Sequence, residues 1–161
     1  MPGVSVKGNR MSSSVASNHV KVSKPNEVQC VPGYIDGQYY SGSWSGGICY
    51  GIEIRPSSPY DYQDIEATVE GTVHEGIANV FVNGLEVAFS GAKTQENDSY
   101  RLPSGWSYVS GAHSNMNGSV SNGSTTVFVN GKPLARKGDS VTTHANTTSS
   151  IQEGSSNVFA N

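Results

Sequence analysis

The chain has 161 residues, 35% of them hydrophobic and only 14% charged, with 19 glycines and a formal net charge of −3. One domain is the expectation at this length; the low net charge argues against a disordered polyelectrolyte, and the mild acidity leaves no basic footprint for nucleic acid. No stretch has the apolar length of a membrane helix and Met1-Pro2-Gly3 does not open a signal peptide, so the chain is expected to be made in a cytoplasm and exported, if at all, outside the general secretory route.

Taken in order, residues 1–9 end on Lys7-Gly8-Asn9, a turn signal that returns later in the chain. Residues 10–18 are Ser-rich and read as an exposed loop. His19-Val20-Lys21-Val22 alternates and predicts a short strand. Residues 24–59 form an insertion rich in Tyr, Gly and Ser around Trp44, and its alternating run Ile48 to Ile54 predicts a small hairpin or Ω-like excursion with one apolar face. It contains both cysteines, Cys30 and Cys49; two reduced thiols, a bridge or a metal ligand are all compatible with the sequence. Alternation resumes through Ile65, Val69, Val73 and Ile77 into a hairpin, Val80 to Gly91. A shorter insertion runs from Thr94 to Tyr108, turning at Pro103-Ser104-Gly105. Residues 111–161 hold the clearest pattern, and no segment of the chain shows a 3.6-residue period, which predicts an all-β fold.

Within that last region, Val127-Phe128-Val129-Asn130-Gly131-Lys132-Pro133-Leu134-Ala135-Arg136-Lys137-Gly138-Asp139 reads as strand, tight turn, strand, turn. Val-Phe-Val favours a pleated backbone, and Asn-Gly is the strongest short hairpin signal because both residues tolerate positive φ. Val80 to Gly91 repeats this segment without a gap at an offset of 47 residues (Val80 to Val127). A third copy starts at Val158-Phe159-Ala160-Asn161 and stops; its missing half is Met1 to Asn9, which matches Gly131 to Asp139 in length. The chain therefore holds three units, one split between its ends, and the simplest geometry is a closed three-fold arrangement with adjacent termini.

The histidines follow the same repeat. His113 and His144 each lie ten residues before a glycine, Gly123 and Gly154, with similar flanks. Equivalent histidines of pseudo-symmetric units are expected to converge on the axis. A fold with little apolar core gains from a metal there, and imidazole suits zinc or iron. The third unit's column falls on Glu66, while His19 follows Gly8-Asn9 as His144 follows Gly138-Asp139. His19, His113 and His144 are the candidate ligands of one zinc, with iron as the alternative; Cys30, Cys49, Glu66 or water could be the fourth. His74 aligns with Ser121 and Gln152 and reads as an exposed strand residue.

Val127 to Asp139, with Pro133-Leu134-Ala135-Arg136 at its centre, resembles the signature of the PAAR-repeat proteins. The lead-ins Gly154 to Phe159 and Gly123 to Phe128 match as well; the Val80 unit lacks both Pro and Arg. The resemblance covers about the first ten residues and the stretch from about Glu66 onward, without the insertions. It implies a single conical domain of three β-hairpin repeats, interrupted over about residues 20–65 and 94–110. It also implies a metal near the vertex, bound in the family mostly by His with a Cys, and a base docked on a trimeric β-helical spike, one copy per trimer. Val80, Phe81, Val127, Phe128, Val158 and Phe159 are the candidates for core and docking base. Such a protein caps and sharpens the spike of a contractile injection machine and meets the host envelope during piercing, without catalysis. The Asn- and Ser-rich composition points to a phage tail baseplate, the alternative being a type VI secretion tip or adaptor. From another class, Tyr39, Tyr40, Trp44 and Tyr50 could make the insertion a host glycan-binding module.

Overall fold

The structure, a computed structural model, describes residues 1–161 and is all-β. No helix of it is long and apolar enough to cross a membrane. The chain forms two compact units: residues 1–21, 64–101 and 110–161 make the first, and residues 22–63 and 102–109 the second.

The first unit is a ring of three interlocked segments, and its symmetry is visible bond by bond. Ser5, Ala88 and Ala135 occupy one repeat position and are fully buried. The Ser5 N–H donates to the Ala135 carbonyl at 2.9 Å, the Ala135 N–H to Ala88 at 3.0 Å, and the Ala88 N–H to Ser5 at 2.9 Å, closing a cycle. Around it the isolated bridges Val4–Arg136, Val6–Val87 and Phe89–Leu134 join each segment to the next at equivalent positions. Only small residues fit where three backbones meet, which accounts for Ser, Ala and Ala in the innermost place. Val4, Val87 and Leu134 with Val73, Val120 and Ile151 build the apolar core around this cycle.

Each segment begins as a hairpin. Asn83 and Asn130 have φ of 51° and 50°, and the glycines after them are also left-handed, as a type I′ turn requires. Phe81 pairs with Glu86, Phe128 with Pro133, and across the chain ends Phe159 with Gly3, the same register three times. The Val4 N–H donates to the Val158 carbonyl at 3.0 Å, so the split unit is rejoined by strand pairing. Gly8, Gly91 and Gly138, with φ of 94°, 95° and 92°, end the three segments in identical turns.

One expectation is corrected here. Residues 10–18 are not a loop throughout: a strand runs from Ser14 to Pro25, because Ala16, Val20 and Val22 put small apolar side chains on one buried face that a Ser-rich composition hides. Thr94–Ser99, the first part of the shorter interruption of the repeat, is a strand of the first unit, paired antiparallel with Tyr60–Val73 from Thr94–Val73 to Ser99–Thr68. His74 is exposed as expected but lies just past the end of Tyr60–Val73, outside any strand.

The second unit contains three two-stranded pairs: Gln29–Val31 with Ile52–Ile54, Gly33–Ile35 with Gln38–Tyr40, and Ser43–Ser45 with Ile48–Tyr50. Cys30 and Cys49 form a disulfide. The expected apolar face does not form: Ile48, Tyr50, Ile52 and Ile54 are all exposed, and Val22 is the only side chain buried in the unit. Gly51 interrupts the alternation, so Ile48–Tyr50 and Ile52–Ile54 belong to different hairpins rather than one strand.

Candidate metal centre

Four side chains of the first unit meet at one point. His19 comes from the strand Ser14–Pro25 and Asp98 from the strand Thr94–Ser99. His113 follows Gly111, whose φ of 103° and lack of a Cβ let the chain pass against the His19 carbonyl. His144 lies in the turn between the strands Ser140–Thr142 and Thr148–Ser150. The three imidazole centroids are 5.3, 5.5 and 5.7 Å apart, close to an equilateral triangle. One donor atom from each of the four residues lies within 4.8 Å of all the others.

Asp98 holds the group together. Its Oδ2 accepts the His113 backbone N–H at 2.8 Å and lies 2.9 Å from His19 Nε2 and 3.3 Å from His113 Nδ1. Burial alone would raise the Asp98 carboxyl. The hydrogen bonds from His113 N–H and His19, with the positive field of His144 and His19, instead hold it below the usual carboxylate range. Behind His144, Glu96 Oε2 accepts the His144 backbone N–H at 2.8 Å and lies 2.7 Å from Nδ1. The Asp98 and Glu96 side chains are fully buried, that of His144 is nearly so, and that of His113 is 43% exposed.

The chemistry of this donor set fits a metal ion. Asp98 Oδ1 and His144 Nε2 are buried without a hydrogen-bond partner, although they lie 3.2 Å apart. Buried polar atoms left unpaired are rare and costly, so two of them facing each other could share a cation. Imidazole nitrogens and a carboxylate oxygen are ordinary ligands of divalent first-row metals.

Of the residues singled out from sequence, His19, His113 and His144 are together; Glu66 is exposed outside the cluster. Cys30 and Cys49 are bonded to each other, which withdraws both as ligands. Asp98 and Glu96 were missed. Their signal was the alternation Thr94, Glu96, Asp98, which puts both carboxylates on one face of a strand.

With the geometry in hand, comparison with known families matches residues 110–161 to the PAAR motif. The last third of the chain carries a PAAR motif. The match contains His113, His144 and the whole segment Val127 to Asp139, the parts of the ring and of the metal cluster that repeat most regularly. A search of curated proteins returns no match. A PAAR motif implies a spike-tip protein of a contractile injection system, seated on the machine's central spike.

The candidates for a docking base divide by orientation. Val80 and Val127 pack against the core of this PAAR-motif chain, while Phe81, Phe128 and Phe159 are 56%, 54% and 49% exposed and Val158 is 38% exposed. Beside the phenyl rings the turns clasp their neighbours in cyclic order. Asn83 Nδ2 donates to Asn157 Oδ1 at 3.0 Å, Asn130 Nδ2 to Asn79 Oδ1 at 2.8 Å, and Thr126 Oγ1 to the Asn161 carbonyl at 3.2 Å.

Proposed function

We propose that the chain is the metal-stabilised tip that caps and sharpens a trimeric β-helical central spike, one copy per trimer, for piercing an envelope. The observation that carries this reading is the three equivalent exposed phenyl rings of Phe81, Phe128 and Phe159 on a closed pseudo-three-fold ring. The end of a trimer offers three equal strand edges, which need covering; a monomer satisfies all three only if it presents three equal faces. One zinc, held by His19, His113 and His144, ties the segments together and adds its binding energy to folding, which suits a part that meets mechanical load. The mildly acidic, Ser- and Asn-rich composition favours a phage tail baseplate over a type VI secretion tip or adaptor.

The test is the triple substitution Phe81→Asp, Phe128→Asp, Phe159→Asp. Each ring is half exposed, so the isolated protein is expected to fold and keep its metal. Each ring is expected to contribute about 1–2 kcal/mol on docking, so spike binding should weaken by at least about a hundredfold. Capping at wild-type affinity by the triple variant would place the docking face elsewhere.

A further inference from the structure

We propose that Asp98 is the fourth ligand of the metal centre, and that Glu96 is not a ligand but the carboxylate that aims His144 at the ion. This rests on the metal reading of the histidine cluster and adds to it a complete nitrogen and oxygen donor set with no thiolate, unlike the His-and-Cys set that the family resemblance implies.

The strand Thr94–Ser99 turns Thr94, Glu96 and Asp98 inward, with Thr94 and Glu96 fully buried. Two inward carboxylates on a strand of fewer than ten residues are expensive, because each buried charge costs several kcal/mol unless it is paired. Glu96 is fully paired. Its Oε1 accepts the Thr94 hydroxyl at 2.6 Å, and its Oε2 serves the His144 backbone N–H and lies at 2.7 Å from Nδ1. Both Glu96 oxygens are engaged and neither is left for an ion. A carboxylate at Nδ1 fixes the proton there and leaves the lone pair on Nε2, the arrangement by which outer carboxylates orient metal-bound imidazoles.

Asp98 is paired on one side only. Oδ2 takes the His113 N–H, whereas Oδ1 is buried, has no hydrogen-bond partner and faces the equally unpartnered His144 Nε2 across 3.2 Å. With the His144 proton on Nδ1, the Nε2 lone pair faces that carboxylate oxygen. One cation placed between them would take both as ligands. His19 Nε2 and His113 Nδ1 lie 2.9 and 3.3 Å from the other oxygen, Asp98 Oδ2, and 3.3 Å from each other, and one donor atom from each of the four residues lies within 4.8 Å of the rest. Ligand bonds of about 2.0–2.2 Å in a tetrahedron give edges of about 3.3–3.6 Å, so the four donors would draw together to close on one ion. Because no ligand is a thiol, metal retention should be indifferent to mild oxidation.

Cobalt(II) substitution of the full-length protein tests this. Wild type is expected to show the visible bands of four-coordinate cobalt and no near-ultraviolet thiolate-to-cobalt charge-transfer band. Asp98→Asn should lower cobalt affinity at least tenfold. Asp98→Cys should bind and gain the charge-transfer band, which appears only if the side chain at position 98 touches the metal. Glu96→Gln should keep the wild-type spectrum and lose about tenfold to a hundredfold in affinity. Wild-type spectrum and affinity in Asp98→Asn, or cobalt-loaded Asp98→Cys without the new band, would overturn the assignment of Asp98 and leave the histidine site standing. A wild-type protein that takes up no cobalt would overturn the metal reading itself.

Discussion

Asp139 closes its turn by accepting the Arg136 N–H at 2.7 Å and pairing with the guanidinium at 3.1 Å. Asn9 accepts the Val6 N–H in the same way at 2.9 Å. Ala92, at the third equivalent position, has no such oxygen, yet its N–H still donates to the Phe89 carbonyl at 3.0 Å, matching Asn9 to Val6 and Asp139 to Arg136 at 3.1 Å each. The turn is therefore held by backbone geometry, and the side chain adds to it. Asp139→Ala is expected to cost about 1–2 kcal/mol and to lower the thermal midpoint by several degrees while the ring stays closed. Loss of the folded state would show that the carboxylate is indispensable. Single residues were legible in the sequence where they recur: His113 and His144 stand out because their flanks repeat. Asp98 and Glu96 were not, because they have no repeated counterpart and their strand lies where the repeat alignment sees only an insertion.

The hairpins around Asn83-Gly84 and Asn130-Gly131 form where the turn chemistry puts them, since only one turn type accepts two successive left-handed residues. The second unit shows where such reasoning ends. Its alternating run Ile48 to Ile54 promised an apolar face, but alternation specifies two sides of a strand and not what covers them; these side chains stay exposed. With Val22 as its only buried side chain, this unit depends on the Cys30–Cys49 bridge. Closing a loop of sequence separation 19 stabilises by about 3 kcal/mol in the chain-entropy account. Reduction, or Cys30→Ser with Cys49→Ser, is expected to open the stretch between these positions to limited proteolysis while residues 110–161 stay intact and metal content is unchanged. Equal protease resistance before and after reduction would contradict a disulfide-held unit.

On the scale of the whole molecule, the strongest sequence signal was the split repeat. A unit divided between the two ends folds only if the ends meet, and the bridge Gly3–Phe159 with the cycle through Ser5, Ala135 and Ala88 is the result. What the repeat could not tell was which side chains of Val-Phe-Val face inward. In all three copies an adjacent residue packs inside and the phenylalanine remains exposed, a choice made by the neighbouring segments rather than by period. On the proposed docking to a trimeric spike, three equal outward faces on one chain would let one monomer fill the end of the trimer. Native mass spectrometry of the protein mixed with the trimeric spike of its own particle tests this most directly. The expected mass is that of one chain on one trimer at any excess of chain, whereas a complex of three chains on one trimer would contradict the three-fold tip.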